Sequence, residues 1–223
     1  MPDTGRLIVI AGPMFSGKSE ELMRRVRRAT IAGVAVLVVS HSLDTRSPLS
    51  TITSHIGAHI PAVPLSDVNS LAEAARSADY DLVAIDEAQF FGPELVPVVE
   101  ALLRDGIDVI VEGLCVTFDG EPFEPLPSLM AVAEEVLRLT AVCTICGRDA
   151  VFHQRLKDSQ RGSGAAEASE AASEAASDED PPSVAATAID ASHVGGLDTY
   201  VARCREHFNR GRATTSAVSS SQT

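Results

Sequence analysis

The chain has 223 residues and carries 18 Lys and Arg against 31 Asp and Glu, a formal net charge of −13 with His neutral. This acidic balance excludes proteins that neutralise nucleic-acid phosphates over a broad basic face, and polybasic proteins of membrane surfaces. The hydrophobic fraction of 45% is too high for a wholly disordered acidic chain. The length suits one domain of roughly 150 residues with an appendage.

The acidic excess is concentrated in residues 162–187, which hold six Asp and Glu and no Lys or Arg. The other 197 residues carry 18 − 25 = −7, which is unexceptional. The segment is rich in Ala, Ser and Glu and has no apolar stripe that a helix would bury. We therefore expect a mobile insertion, with a transient helix as the alternative.

The N-terminal apolar run, Leu7–Ala11, is too short for a signal peptide or a membrane span. No other run approaches about 18 apolar residues, so the sequence predicts a cytoplasmic protein without a membrane partner. In a reducing cytosol, the close pair Cys143 and Cys146 indicates metal or redox chemistry rather than a structural disulfide.

Short apolar segments alternate with helical patterns through residues 1–140. The segments that resemble buried parallel strands are Leu7–Ala11, Ala35–Val39, Leu82–Ile85 and Asp108–Glu112. The helical patterns cover Ser19–Ala32, Ser66–Ala78, Pro93–Arg104 and Ser128–Thr140. This alternation predicts an α/β domain whose sheet is mainly parallel and flanked by helices.

The pattern changes after residue 140. Residues 141–208 carry most of the cysteines and enclose the acidic insertion, so we expect a small separate subdomain there. Residues 209–223 are small and polar and are expected to form a flexible tail.

Residues 12–19 read GPMFSGKS, which fits the phosphate-loop pattern G-x-x-x-x-G-K-[ST] between a predicted strand and a predicted helix. Gly12 and Gly17 let the loop curl so that backbone N–H groups face phosphate oxygens. Lys18 reaches the β- and γ-phosphates, and Ser19 can hold Mg²⁺. The chain has only two Lys, and one lies where a compact point charge suits a phosphate loop better than a guanidinium.

A second acidic motif, DEAQFF, follows the predicted strand Leu82–Ile85. Asp86 is placed to assist Mg²⁺, and Glu87 to take a proton from an attacking hydroxyl or water; alternatively, Glu87 only caps the next helix. Phe90 and Phe91 are either apolar core or a stacking wall for a flat base.

Two half-sites, Cys143-x₂-Cys146 and Cys204-x₂-His207, can together form a tetrahedral Zn²⁺ site. Such a site is structural because it leaves no open coordination position. The alternative is a CxxC redox pair with an unrelated Cys-x₂-His. Cys115 stands outside the set and is expected to be a free thiol.

Together these motifs resemble the zinc-containing (type II) thymidine kinases. The matching segments are GPMFSGKSEELMRRVRRAT at 12–30, Asp44-Thr45-Arg46, SHIG at 54–57, DEAQFF at 86–91, GEPFEPLPSLMAVAEEV at 120–136, CTICG at 143–147, Gln154-Arg155-Leu156 and VGGLDTYVARCREH at 194–207. They occur in family order over almost the whole chain outside the insertion and tail.

The resemblance implies a P-loop NTPase (RecA-like) domain with a zinc-bound lasso, and transfer of the ATP γ-phosphate to the 5′-hydroxyl of thymidine or deoxyuridine. It implies that Glu87 is the catalytic base. The residues it assigns to ATP and Mg²⁺ are Gly12, Pro13, Met14, Phe15, Ser16, Gly17, Lys18, Ser19, Asp86, Glu87, Ala88 and Gln89. Those it assigns to the nucleoside are Met14, Phe90, Leu114, Phe118, Phe123, His153 and Tyr200. A cytoplasmic homotetramer inhibited by thymidine triphosphate is also implied.

The sequence departs from the family at GLCVTFDGEPF, residues 113–123, where GLDxDFRGEPF is usual. Cys115 replaces an Asp and Asp119 replaces an Arg, while His153 stands where Thr is usual, beside the base. Three hypotheses follow: an active thymidine kinase, a kinase of shifted nucleoside preference, and a nucleotide-binding sensor or scaffold. Intact Lys18 and Glu87 argue against the third.

Overall fold

The structure is a computed structural model that describes residues 4–43, 51–53, 59–156 and 199–210. Its strands are β1 (Leu7–Ala11), β2 (Val36–His41), β3 (Thr51–Thr53), β4 (His59–Pro61), β5 (Val63–Leu65), β6 (Leu82–Ile85), β7 (Asp108–Gly113), β8 (Glu135–Arg138), β9 (Ala141–Val142), β10 (Asp149–Ala150), β11 (Phe152–Arg155) and β12 (Tyr200–Arg203). Its helices are α1 (Lys18–Ile31), α2 (Val68–Arg76), α3 (Leu95–Arg104) and α4 (Leu126–Val132), and residues 205–210 are also helical. No helix in these ranges is both long and apolar enough to cross a bilayer.

The central sheet has six strands in the order β5-β2-β6-β7-β1-β8, and all of its pairings are parallel. This confirms the predicted mainly parallel sheet flanked by helices, an arrangement typical of P-loop NTPases. Because β6, β7 and β1 are neighbours, the segments that follow them emerge at one edge of the sheet. Ligands bind at such carboxyl edges in open α/β sheets.

Apolar side chains cover both faces of the sheet, as the strand sequences predict. Along β1, Leu7 and Val9 pack with residues of α2, α3 and α4, while Ile10 packs with residues of α1. The β3–β4 hairpin adds Ile52 and Ile60 to the α1 side. Because successive side chains of a strand point to opposite faces, the sheet contributes residues to two separate hydrophobic cores.

The predicted helix Ser128–Thr140 is wrong in its second half. Helix α4 ends at Val132, Ala133 has extended backbone angles, and Glu135–Arg138 forms the edge strand β8 beside β1. Local helix propensity is overridden because pairing with β1 satisfies backbone groups and half-buries alternate residues. The Leu7 N–H also donates to Glu134 Oε2 at 2.6 Å, which fixes the start of this pairing.

Three small two-stranded sheets, β3–β4, β9–β10 and β11–β12, complete the described chain. Strands β11 and β12 are antiparallel, and Leu156 N donates to Thr199 O at 2.7 Å at their open end. The acidic insertion 162–187, the motifs at 44–46, 54–57 and 194–198, and residues 211–223 of the expected tail lie outside the described residues.

Candidate active site

The phosphate loop connects β1 to α1, as its sequence context predicts. Gly17 precedes the helix with φ 82°, a left-handed conformation that glycine adopts without steric cost. At Gly12 the need for glycine is one of space, since a Cβ there would lie 2.7 Å from both Leu139 O and Ser16 Oγ. The loop curls on itself through a hydrogen bond from Ser16 Oγ to Pro13 O at 2.8 Å.

Lys18 is the first residue of α1 and folds back toward the loop. Its ammonium is buried, and it donates to Pro13 O at 3.2 Å. It also lies 3.5 Å from Glu112 Oε1. The ammonium therefore sits at the positive end of α1, where an anion is favoured by both the charge and the free N–H groups of the first turn. Ser19 follows it in the same turn.

Asp86 and Glu87 follow β6 and are both buried. Asp86 continues the strand pairing, since its N–H donates to Val39 O at 2.9 Å. Glu87 has left-handed backbone angles, φ 51° and ψ 45°, and begins a 3₁₀ turn over Ala88–Phe91. Its side chain makes no capping hydrogen bond to that turn, which weakens the capping alternative.

Gln89 holds the Glu87 carboxylate. The Gln89 side-chain amide is fully buried and donates from Nε2 to Glu87 Oε2. Its Oε1 accepts the backbone N–H of Leu114 at 2.9 Å. The amide therefore connects the carboxylate after β6 to the chain just after β7.

Glu112 is a site residue that the sequence analysis counted only as part of a strand. It lies in β7, is fully buried, and its Oε2 accepts the Glu87 N–H at 3.0 Å. The available signal is a carboxylate that directly follows the three apolar residues Val109–Val111 of the strand. Burial of an ionised carboxylate is unfavourable unless partners offset the loss of water, so such a residue indicates a site.

The residues assigned to the nucleoside are largely brought together. Met14, Leu114, Phe123 and Tyr200 form a buried group with partly buried Phe15 and Phe118, which we term the aromatic cluster. The His153 ring meets the edge of Tyr200 at a centroid distance of 5.7 Å. The cluster adjoins the phosphate loop because Met14 and Phe15 belong to both.

Phe90 does not join the aromatic cluster of the described residues. Its ring centroid lies 5.8 Å from that of His41, and neighbouring Phe91 packs into the core on the α2–α4 face of the sheet. The two Phe residues thus have different surroundings, and for Phe91 the apolar-core alternative is correct.

The four predicted metal ligands form one cluster. Cys143, Cys146, Cys204 and His207 place their ligand atoms within 4.8 Å of one another, although 58 positions separate Cys146 from Cys204. The Cys146–Cys204 Sγ distance is 3.7 Å, and His207 Nδ1 lies 3.6 Å from Cys143 Sγ and 3.2 Å from Cys204 Sγ. Tetrahedral zinc separates two sulfurs by about 3.8 Å and sulfur from nitrogen by about 3.5 Å, so this donor set fits the ion.

Hydrogen bonds within this cluster favour a thiolate at Cys143. Burial raises the pKa of the Cys143 thiol, but backbone hydrogen bonds from Cys204, Ile145 and Cys146 outweigh it and lower the pKa to about 5. Arg148 donates to Cys146 Sγ at 3.4 Å and also pairs with Glu206. Cys115 lies outside the cluster as a free cysteine, as predicted.

Comparison with known proteins agrees with this geometry. A family model described as thymidine kinase matches residues 5–208. The chain is 43% identical over 203 residues to a thymidine kinase of Coprothermobacter proteolyticus, an alignment that covers 91% of this chain and 90% of that protein. It is 45% identical over 161 residues to one of Deinococcus radiodurans, covering 68% and 76%, and 38% identical over 235 residues to one of Haloquadratum walsbyi, covering 91% and 94%. Because the family match extends from the first strand to the last metal ligand, the chain belongs to the thymidine kinase family.

Proposed function

We propose that this protein transfers the γ-phosphoryl group of ATP to the 5′-hydroxyl of thymidine or deoxyuridine, giving the nucleoside monophosphate and ADP. The observation that carries the proposal is the meeting of three parts at one sheet edge. The phosphate loop follows β1, Glu87 follows β6, and the aromatic cluster includes Leu114 after β7. A triphosphate, a base for the hydroxyl proton and an apolar wall for a pyrimidine are thereby adjacent.

We assign the ATP site to the loop residues Gly12–Ser19 with Asp86, Ala88 and Gln89. Lys18 neutralises developing charge on the phosphates, and backbone N–H groups of the loop orient them. Mg²⁺ bound with ATP supplies further charge neutralisation, with Ser19 and Asp86 as its protein contacts. The contacts of Gln89 indicate that it positions Glu87, because its amide is hydrogen-bonded to both the Glu87 carboxylate and the Leu114 N–H.

We assign Glu87 as the base that accepts the 5′-hydroxyl proton as the oxygen–phosphorus bond forms. A neutral hydroxyl attacks poorly, so a carboxylate within hydrogen-bond reach assists the transfer. The burial of Glu87 and the contact from Gln89 support the role, because both restrict the carboxylate to one direction.

We assign the thymine to the aromatic cluster, with His153 beside it. His153 favours a second candidate function, a kinase of shifted nucleoside preference, since its buried imidazole packs against Tyr200 of the cluster. We assign the Cys and His cluster to structural zinc, which leaves no open coordination position for catalysis. The homotetramer, the cytoplasmic location and the division of the chain after residues 140 and 208 stay predictions.

A nucleoside panel tests the proposal. Purified full-length protein is incubated with ATP, Mg²⁺ and each of the common ribo- and deoxynucleosides, and monophosphates are separated by chromatography. We expect product with thymidine and deoxyuridine. Product with another nucleoside instead supports the shifted preference. ATP binding without any product would support the sensor or scaffold hypothesis and overturn the kinase.

The base assignment predicts the behaviour of Glu87→Gln. This variant keeps the side-chain volume and the loop, so ATP affinity should be unchanged. It cannot accept the proton, so kcat should fall by about 10²-fold or more. Steady-state kinetics measures kcat, and equilibrium binding of a non-hydrolysable ATP analogue measures the affinity separately. Near-normal turnover of the variant would refute the assignment of Glu87 as the base.

A further inference from the structure

Glu112 contacts both the phosphate loop and the segment after β6, and it belongs to neither the proposed ATP site nor the proposed nucleoside site. Its Oε1 lies 3.5 Å from Lys18 Nζ, and its Oε2 accepts the Glu87 N–H at 3.0 Å. We propose that Glu112 is a positioning residue that links the phosphate-binding ammonium of Lys18 to the main chain of Glu87. The inference rests on the proposed function, in which Lys18 serves the phosphates and Glu87 is the base.

The sheet register explains why a carboxylate at this position reaches both groups. Glu112 lies beside Ile10 of β1 in the parallel pairing, close to the start of the phosphate loop. Side chains alternate along β7, so Glu112 shares the face of Ile110, which packs against α1. Lys18 opens α1 on that same face.

The first contact is a buried ion pair. The Lys18 side chain is 7% exposed and that of Glu112 is 0% exposed. An ammonium loses its hydration on burial, and an opposite charge offsets this loss. Glu112 supplies that charge before nucleotide binds, so the Lys18 side chain is held within the loop and does not have to be ordered by the incoming phosphates.

The second contact holds an uncommon backbone conformation. Glu87 adopts left-handed angles, which are unfavourable for a residue with a Cβ and persist where the surroundings determine them. The Glu87 N–H donates to Glu112, and the Glu87 carbonyl accepts from Phe90 N at 3.1 Å. Gln89 restrains the side chain of Glu87, and Glu112 restrains its main chain.

Two substitutions separate the contacts. Glu112→Gln keeps an oxygen that accepts the Glu87 N–H but removes the charge opposite Lys18. We expect the KM for ATP to rise by about tenfold with kcat changed by less than about threefold, because the loss lies in phosphate binding. Glu112→Met removes both contacts, and kcat should fall by about tenfold as well, since Glu87 loses its main-chain restraint.

Glu134→Gln is the matched control. The Glu134 carboxylate also accepts a backbone N–H, that of Leu7 at the start of β1, but it has no contact with the phosphate loop in the described structure. Both kinetic constants should match those of the wild type. Thermal unfolding of each variant establishes that the comparison is between folded proteins.

A double-variant cycle tests whether Glu112 acts through Lys18. Affinity for a non-hydrolysable ATP analogue is measured for wild type, Glu112→Gln, Lys18→Met and the double variant. We expect Glu112→Gln to weaken binding in the wild-type background and to have no further effect once Lys18 is replaced.

The proposal is overturned if folded Glu112→Gln binds the ATP analogue like wild type, or if its effect persists undiminished beside Lys18→Met. If Glu112→Met does not fold, the Gln variant and the cycle decide the question. Failure of the base assignment is distinguishable, because full activity of Glu87→Gln would leave the Lys18–Glu112 coupling in ATP affinity intact.

Discussion

At the scale of single residues, the site depends on close approach of backbone and side chains. Gly113 ends β7, and a Cβ there would clash with Gln89 Oε1 and lie 2.9 Å from Leu126 Cδ2. The missing side chain therefore leaves room for the amide that connects Glu87 to Leu114. Glycine is required at this position by space, since its backbone angles are not left-handed.

Gly113→Ala should therefore displace the Gln89 amide and lower kcat by about tenfold, with about 1–3 kcal/mol lost in stability through overpacking. Gln89→Ala is the comparison variant, since it removes the same hydrogen bonds directly. The double variant should be no slower than the worse single variant, because both act on one group. Wild-type kcat in Gly113→Ala would contradict the steric argument, and steady-state kinetics decides.

At this scale, a residue whose type and spacing match a chemistry can be predicted from the sequence, whereas one whose importance comes from its neighbours cannot. Lys18 and the four candidate metal ligands are predicted from spacing alone, because phosphate loops and tetrahedral sites restrict the residues allowed at each position. Glu112 has no motif around it, and its contacts with Lys18 and Glu87 arise only when β7 lies beside β1 and β6.

At the scale of elements, the buried strands were predictable and the edge strand was not. Strand β6 is an apolar run of matching length, so its composition alone identifies it. Strand β8 is amphipathic and follows helix α4 closely, and the residues of β8 are compatible with either a helix or a strand. Pairing with β1 decides between them, and this long-range contact leaves no local signal.

The metal cluster joins two pairs of residues that lie far apart in the sequence. Cys143 and Cys146 flank a turn between β9 and β10, while Cys204 follows β12 and His207 lies in the helix 205–210. Tyr200 of the aromatic cluster belongs to β12, four residues before Cys204. A metal bound by this cluster would therefore anchor β12, which carries Tyr200 of the aromatic cluster.

Metal analysis of the purified protein should find about one zinc per chain. Cys146→Ser should lower the zinc content and the melting temperature and weaken thymidine binding, because β12 loses its anchor. Binding of the ATP analogue should be less affected, since the phosphate loop is fixed at both ends by β1 and α1, although its Phe15 packs near Cys143 and Cys204. Cys115→Ser is the control and should retain zinc; a folded, zinc-free wild type would refute the assignment.

At the scale of the whole molecule, the formal charge of −13 is unevenly distributed along the chain. Six of the acidic residues belong to 162–187, and the rest of the chain carries −7. Leu156, which follows β11, and Thr199, which precedes β12, are hydrogen-bonded to each other. The chain between them thus begins and ends at one point on the β11–β12 pair.

Deletion of residues 162–187 should therefore leave thymidine phosphorylation nearly unchanged. Sixteen residues, 157–161 and 188–198, would still span the two hydrogen-bonded ends. Loop-closure entropy changes by only about 0.6 kcal/mol for each twofold change in length, so stability should shift little. Kinetics and thermal unfolding of the deletion protein are the measurements, and a large loss of kcat would assign the insertion a direct part in the reaction.

The position of Tyr200 also means that the intrinsic fluorescence of the protein can be used to follow ligand binding. The chain has no Trp and only two Tyr, so its ultraviolet emission comes from Tyr80 and Tyr200. Tyr80 packs at the margin of the core on the α2–α4 face, whereas Tyr200 is 1% exposed within the aromatic cluster and touches His153. A Tyr80→Phe protein would therefore report occupation of the proposed nucleoside pocket through a single unlabelled fluorophore, in a titration that needs no phosphate transfer.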